Sequence, residues 1–440
     1  EQPLDLFKPG TAPVYVNANK RPWLGNSAHP RRAALSAFGF GGSNFHCVLE
    51  EAEQDKAEIE WDGKVILYAL SADSVEQIKS LLTEIDPTRV WAELRADAAS
   101  SLQSFDAKQA CRLVLSIMQE TKLDKLLATA TSMLAKSDPA TSWSTPDGAY
   151  FGSGETGKLS MLFPGQGSQY TNMLLDLACQ FPQMQSVLTQ AEKEFASQNS
   201  NTRLSDLIYP IEPFSDVARK EDEDELRATQ HAQPAIGATS LGALKILQHF
   251  GIKADACAGH SFGELTALCA ANVIEEDDLH RLAIKRGELM RAKAGDQGAM
   301  LAVSASAAVV HEFLEGEPLD LIIANNNGPT QVVLSGATDQ IELAFSRLKE
   351  RGMAVKKLPV SAAFHSIYVA DAEKPLAEFL QSIPFNQSET RVYANTTAEA
   401  YPGDAEKAKA LLAGQLARPV EFVAQIENMY AAGIRTFAEV

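Results

Sequence analysis

Cysteine is scarce in this chain, five residues in 440, and the five (Cys47, Cys111, Cys179, Cys257 and Cys269) are odd in number, widely spread and contain no C-x-x-C pair. No signal peptide precedes them, so a disulfide framework is excluded and free thiols in a reducing cytoplasm are expected. Basic residues are also in deficit. Lys and Arg number 39 against 57 Asp and Glu, a net charge of −18, and such a surface repels nucleic-acid backbones and anionic membranes. Long apolar runs are missing too: no stretch approaches the ~18 residues a membrane helix needs. Histidines and cysteines nowhere adopt metal-ligand spacing, so a metal site is not expected.

What is present is the composition of an ordinary globular protein, 45% hydrophobic and 22% charged, with length for about three folded units. The chain begins at Glu1, and its last residues, Thr436 to Val440, resemble a strand cut short; it reads as a piece of a larger polypeptide. Residues 1 to about 50 carry a glycine-rich turn, Phe38-Gly39-Phe40-Gly41-Gly42-Ser43-Asn44, then a strand at Cys47-Val48-Leu49 and the charged run Glu50 to Glu60. From 61 to about 150 a small α/β module is expected, with a strand at 64–70, Ser71 as helix N-cap, a helix at 74–85 and more helix around 107–135. Ser137 to Lys158 reads as a linker. Beyond it strands and helices alternate, the pattern of a parallel sheet covered by helices. Within this, residues 298–360 spell βαββαβ, a ferredoxin-like unit inserted in a larger domain.

Two glycine patterns need sorting. Gly152-Ser153-Gly154-Glu155-Thr156-Gly157 fits G-x-G-x-x-G, but a strand follows it where a phosphate-binding helix should begin, so a linker is the better reading. Gly259-His260-Ser261-Phe262-Gly263 fits G-x-S-x-G in the required context, with a small apolar strand before it and a helix after it. Ser261 is therefore the candidate nucleophile. It needs a base, and among eight histidines His365 stands out because it follows a strand end, where such sheets present catalytic groups. His260 adjoins the serine, but neighbouring side chains on a tight elbow diverge, so packing or helix entry is its expected role. Many carboxylates lie between 261 and 365, and spacing does not select a third member. Arg286, on a helix after the elbow, could clamp a substrate carboxylate through two parallel bonds; an isolated helical arginine more often makes a salt bridge.

Taken together these pieces resemble the acyltransferase domain of fatty acid and polyketide synthases, the malonyl-CoA:acyl-carrier-protein transacylase family. The resemblance covers about 155–440 and rests on Phe163-Pro-Gly-Gln-Gly-Ser-Gln-Tyr170, Ala232-Gln-Pro-Ala235, Gly259-His-Ser-Phe-Gly-Glu264, Arg286-Gly-Glu-Leu-Met290, Asn327-Gly-Pro-Thr-Gln-Val-Val333, Ala363-Phe-His365 and Gln415-Leu-Ala-Arg-Pro-Val420. Residues 1–50 look like the C-terminal tail of a β-ketoacyl synthase, and 51–155 like the module joining synthase to transferase. The tail and the elbow are most similar to polyunsaturated-fatty-acid-type synthases.

The resemblance implies an α/β-hydrolase-like parallel-sheet core at 156–297 and 359–440, a ferredoxin-like subdomain at 298–358 and a small α/β linker module ahead of both. It further implies a malonyl group passing from malonyl-CoA to Ser261 and then to the phosphopantetheine thiol of an acyl carrier protein, with no permanently bound cofactor. The partners implied are the carrier protein and a neighbouring ketosynthase. By the same resemblance His365 is the base, held by the backbone carbonyl of Gln415 instead of a carboxylate. Backbone N–H groups of Gln166 and Phe262 form the oxyanion hole, and Arg286 holds the malonyl carboxylate. Phe364 crowds an α-methyl branch and so favours malonyl over methylmalonyl. Two departures bear on that choice: Ala362 replaces the first histidine of the family's His-Ala-Phe-His, and Phe262 replaces an aliphatic residue. The rival readings are a serine thioesterase or esterase, a methylmalonyl- or acetyl-specific transferase, and a non-catalytic docking segment.

Overall fold

The computed structural model describes residues 14–25, 29–52, 63–136, 141–198, 202–211, 213–291, 298–359 and 362–440. The charged run beyond residue 52, the first thirteen residues of the expected tail and residues 137–140 of the expected linker lie outside them. Two units separate, one formed by Glu1–Lys56 with Lys158–Val440 and the other by Ala57–Gly157.

In the larger unit, β1 (Arg32–Phe38) and β2 (Asn44–Glu50) form an antiparallel hairpin across the glycine-rich turn, in register from Arg32 opposite Glu50 to Phe38 opposite Asn44. Every residue of both strands is exposed, Leu35, Phe38, Phe45, Val48 and Leu49 included.

The smaller unit is a four-stranded antiparallel sheet of β3 (Val65–Ala72), β4 (Cys111–Met118), β5 (Trp143–Ser144) and β6 (Ala149–Ser153), ordered β3-β4-β6-β5. Helices α1 (Val75–Thr83), α2 (Trp91–Ser104) and α3 (Leu123–Lys136) pack on it, and Ile78, Leu82, Leu126 and Ala130 meet Leu113, Leu115 and Ile117 in one core. Three expectations are corrected here. Residues 111–118 are strand, not helix, because Leu113, Leu115 and Ile117 are buried while the residues between them are half-buried, a period of two. The cap of α1 is Ser74, whose hydroxyl accepts from the Gln77 amide; Ser71 is still in the strand, and its hydroxyl accepts from the Asp106 amide. The expected linker at 137–158 holds β5 and β6, joined by the turn Thr145-Pro146-Asp147-Gly148. Gly148 takes φ +103°, and a Cβ there would lie 2.7 Å from the Ser116 carbonyl oxygen.

The core of the larger unit is a parallel sheet ordered β13-β8-β7-β14, built from β7 (Lys158–Phe163), β8 (Ala256–Gly259), β13 (Arg391–Tyr393) and β14 (Ile434–Glu439). Each crossover carries helices, among them α4 (Thr229–His249), α5 (Gly263–Ala270) and α6 (Glu276–Leu289). Met161, Phe163, Cys257, Phe262, Leu265 and Leu282 share the apolar core with Leu412 and Leu416. β7 and β8 are the two central strands, so their carboxyl ends open on the crevice where open α/β sheets bind ligands.

Residues 298–358 are an insertion with the expected order: β9 (Ala299–Val303), α7 (Ala307–Glu315), β10 (Leu321–Gly328), β11 (Gln331–Gly336), α8 (Thr338–Glu350) and β12 (Val355–Lys357). The sheet order β10-β11-β9-β12, antiparallel throughout, puts the first and third strands in the middle, as in a ferredoxin-like fold. Leu301, Val303, Val332 and Leu334 pack against Val310, Phe313, Ile341 and Leu348. A backbone seam ties the insertion to the parallel-sheet domain: the Asn326 amide donates to the Val420 carbonyl and the Val420 amide to the Ala324 carbonyl, both at 2.9 Å.

Candidate active site

Ser261 sits between the end of β8 and the first residue of α5 with φ +51°, a left-handed conformation that a side chain tolerates only where its surroundings enforce it. Close backbone packing provides that enforcement. A Cβ on Gly263 would fall 2.0 Å from the Phe163 carbonyl oxygen, and one on Gly259 would fall 2.0 Å from the Gly263 carbonyl carbon. The Asn395 side chain, just past the end of β13, fastens the turn from outside: its Oδ1 accepts from the Ser261 amide at 2.6 Å and its Nδ2 donates to the Gly259 carbonyl at 2.6 Å.

His365 Nε2 lies 2.8 Å from Ser261 Oγ, although the two are 104 residues apart in sequence. Nδ1 lies 3.1 Å from the carbonyl oxygens of both Gln415 and Arg418. Carbonyls only accept, so Nδ1 carries the ring proton and Nε2 presents its lone pair to the serine hydroxyl. The Gln415 contact is the expected one, and the Arg418 carbonyl is an addition that no sequence pattern marks. His365 is buried, with φ +58°. Burial first, then the charge of Arg286 and the neighbouring His260, press its pKa down to about 3. The imidazole is thus neutral at pH 7.

Arg286 reaches the same place from α6. Its Nη2 donates to Ser261 Oγ at 3.4 Å and to Gln415 Oε1 at 3.1 Å, the side chain is 1% exposed, and Nε has no protein partner. An exposed salt-bridge arginine is therefore not what the chain contains. Burial lowers its pKa to about 10, opposed by the carboxyl of Glu264, and it remains a cation at neutral pH. A buried guanidinium with an unused donor beside a nucleophile has the chemistry to accept an anionic group.

Gln166 follows β7 in the loop that packs on the elbow: a Cβ on Gly165 would lie 2.3 Å from the His260 carbonyl oxygen. The Gln166 side chain donates to the Thr229 hydroxyl at 3.1 Å. Among the described residues, the backbone amides of Gln166 and Phe262 have no protein acceptor. Phe262 and Phe364 are both buried in the large core, and the Phe364 carbonyl accepts from the Ser335 hydroxyl. His260 points away from the serine chemistry, as its packing role requires: its Nε2 lies 2.7 Å from Asn327 Oδ1 of the insertion and its ring stands edge-on to Phe422.

Three residues escaped the sequence reading. Glu264, the second residue of α5, is buried and accepts hydrogen bonds from Gln415 Nε2 and the Asn395 amide, both at 3.0 Å, and from the Tyr401 hydroxyl. Asn395, Tyr401 and Glu264 thus form a polar floor beneath the serine. The available signal was Glu264 itself, a charged residue within the otherwise apolar start of a helix behind the elbow.

The low histidine pKa values have a measurable consequence. His365 is held at about 3 and His280 at about 4, both chiefly by burial, against 6.5 in an exposed chain. Between those values the unfolded chain binds protons that the native chain refuses. The stability these two histidines contribute is therefore full above about pH 6.5 and falls as pH drops towards 4, by ~1.4 kcal/mol per pH unit for each group, while the raised carboxyl of Glu264 acts in the opposite sense. Urea unfolding midpoints at pH 7.5, 6 and 5 should fall in that order, and less steeply for His280→Gln. Parallel profiles for the two proteins would refute this.

A parallel α/β core with a strained serine at the end of a central strand, hydrogen-bonded to a buried neutral imidazole, defines an acyl-transferring serine protein. The chain belongs to the acyl transferase domain family, which matches residues 161–440; residues 10–113 match the ketoacyl-synthetase C-terminal extension. The malonyl CoA-acyl carrier protein transacylase of Bacillus subtilis (strain 168) is 34% identical over 290 residues, covering 64% of this chain and 86% of that protein. One component of the polyunsaturated fatty acid synthase of Thraustochytrium sp. is 30% identical over 454 residues, covering 97% of this chain; the chain spans only 16% of that protein. Among solved structures, malonyl CoA-acyl carrier protein transacylase from Clostridium perfringens superposes with a TM-score of 0.57 at 31% identity, covering 64% of this chain and 86% of that one. The acyltransferase domain from module 8 of the salinomycin polyketide synthase, 22% identical, shares the fold at a TM-score of 0.66 over 85% of this chain and 84% of its own. Among the described residues no helix is long and apolar enough to cross a membrane.

Proposed function

We propose that this chain transfers a malonyl group from malonyl-CoA, through an ester on Ser261, to the phosphopantetheine thiol of an acyl carrier protein, loading extender units for fatty acid or polyketide synthesis. The observation that carries the reading is Arg286, a buried cation whose fork reaches Ser261 Oγ and keeps Nε unsatisfied. It fits an acyl group that bears its own carboxylate.

In the first half-reaction Ser261 Oγ bonds to the thioester carbonyl carbon while its proton passes to His365 Nε2. The oxyanion that forms meets the amides of Gln166 and Phe262, donors fixed before charge develops and together worth several kcal/mol. Collapse breaks the C–S bond, and the imidazolium returns its proton to the departing CoA thiolate. The second half-reaction repeats these steps with the carrier thiol as nucleophile and Ser261 as leaving group. The Phe364 ring, buried beside His365, supports a preference for the unbranched diacid, and no permanently bound cofactor is required.

The hairpin β1/β2 supports a ketosynthase neighbour. A two-stranded ribbon with all its apolar side chains exposed is marginal alone in water, and a face of this kind suits cover by a neighbouring ketosynthase. The relatives point to large multidomain synthases as the setting.

The test is mass spectrometry after brief exposure to equal malonyl-CoA, methylmalonyl-CoA and acetyl-CoA. The expected product is a malonyl adduct on the peptide containing Ser261, discharged by a phosphopantetheinylated carrier protein. An adduct that water discharges as fast as the carrier would show a thioesterase, an acetyl or methylmalonyl adduct a transferase of that group, and no adduct a scaffold.

A further inference from the structure

The acyl-transfer reading uses Ser261, His365 and Arg286 but leaves the most deeply buried carboxylate of the described chain without a task. Glu264 is 1% exposed, and burying a carboxylate is expensive unless its hydrogen bonds are complete. Here they come from three directions: the Tyr401 hydroxyl, the Asn395 amide and Gln415 Nε2. All three are donors, as an acceptor-only carboxylate requires.

The Gln415 carboxamide joins this carboxylate to the substrate arginine. Its Nε2 end donates to Glu264 at 3.0 Å and to the Ser261 carbonyl at 2.7 Å, while its Oε1 end accepts from Arg286 Nη2 at 3.1 Å. A carboxamide turned over would set its NH2 against the guanidinium and its oxygen against the carboxylate, two repulsive contacts. The charges on either side therefore fix one orientation. Among the described residues no salt bridge joins Glu264 to Arg286 directly; the amide is the link. Burial pushes the Glu264 carboxyl up, the Tyr401, Asn395 and Gln415 donors and the Arg286 charge favour its ionised form, and that form in turn favours the arginine's protonated state.

We propose that Glu264 is a positioning residue for diacid recognition: acting through the Gln415 carboxamide, it holds the Arg286 fork in place as a carboxylate receptor, with Tyr401 steadying the carboxylate from the other side. The proposal rests on the malonyl-transfer reading and deepens it. It also explains a mismatch in the site. The Glu264 carboxylate itself touches neither Ser261 nor His365: the imidazole is held by the backbone carbonyls of Gln415 and Arg418 and the serine turn by the Asn395 side chain, whereas the Gln415 side chain, which Glu264 fixes, is the group that holds the Arg286 guanidinium beside Ser261.

The test compares malonyl-CoA with acetyl-CoA as donors to Ser261, read as adduct formation rates. Glu264→Gln removes the charge, keeps the size and lets the Gln415 amide turn over. The expected result is a malonyl-to-acetyl ratio of kcat/KM at least tenfold lower than in the unaltered protein, mostly through KM for malonyl-CoA, with the acetyl rate changed less than threefold. Tyr401→Phe, which keeps the ring and deletes only the hydroxyl, should lower the ratio severalfold in the same direction, and Glu264→Asp should lie between Gln and the unaltered protein. The Tyr401 variant decides the matter should Glu264→Gln not fold. A folded variant of either residue whose ratio is unchanged, or which loses malonyl and acetyl transfer in equal proportion, overturns the proposal. If the unaltered protein itself shows no malonyl preference, it is the malonyl-transfer reading that fails instead.

Discussion

Ser261→Ala is expected to show no acyl adduct after any length of incubation with malonyl-CoA, and a transfer rate to carrier protein reduced by at least ~10⁴-fold. The size of the effect follows from what remains. Alanine leaves the pocket, Arg286 and the oxyanion donors in place, but nothing that can form the ester, so only direct transfer between bound thiols could continue. His365→Ala should lose ~10²–10⁴-fold, because the hydroxyl keeps its place but has no base. The double variant should be no slower than Ser261→Ala alone, since a base has nothing to act on once the hydroxyl is gone. The carbonyls at 415 and 418 sharpen the expectation: with Nδ1–H anchored twice, His365→Gln cannot offer the serine a comparable acceptor and should behave like His365→Ala. An adduct on the Ser261→Ala protein, or a His365→Ala protein of ordinary rate, would remove the serine ester from the scheme.

The serine elbow was legible in sequence for a physical reason, and His365 and Arg286, expected as base and as carboxylate receptor, lie beside its serine. A nucleophile on a sharp strand-to-helix turn needs glycines where backbones meet, and a Cβ on Gly259 or Gly263 would fall 2.0 Å from a backbone atom. The βαββαβ insertion was legible because its alternating and helical periods are long and separated by turn residues. Other features left no such trace. No carboxylate could be chosen as the histidine's partner because the partners are the carbonyls of Gln415 and Arg418, and a carbonyl is common to all residues. Cys111–Met118 is short and apolar, and such a run is compatible with either period until the sheet beside it is known. Asn395 and Tyr401 are brought beneath Ser261 by the parallel pairing of β13 with β8, more than a hundred residues away in the chain. Long-range pairing of this kind is set by tertiary structure and carries no local signature.

Arg286→Ala should cut kcat/KM for malonyl-CoA by ~10²–10³-fold, or ~3–4 kcal/mol, within the range typical of truncating one partner of a buried charge pair. Acetyl-CoA should respond differently. An acetyl group has no carboxylate to place on the guanidinium, so its binding loses nothing, and the arginine's charge is one of the forces that hold His365 at a low pKa. Removing that charge makes the imidazole a better base, and transfer of acetyl groups should stay level or rise. The same argument predicts a difference between bound states of the unaltered protein. A malonyl carboxylate on Arg286 offsets the cation that disfavours imidazolium, so the transition state in which His365 holds the serine proton is stabilised by the diacid and not by acetate. Selection for malonyl therefore belongs partly to kcat and not only to KM. Arg286→Lys keeps a charge but not the fork, and its chain is too short to hold both Gln415 and a carboxylate in two parallel bonds; it should recover less than a tenth of the lost malonyl activity. The measurement is the pair of donors run against each variant, with thermal unfolding to exclude collapse of the site around Glu264. If Arg286→Ala keeps its malonyl preference, the buried guanidinium is structural, and the group that recognises the acyl carboxylate lies elsewhere.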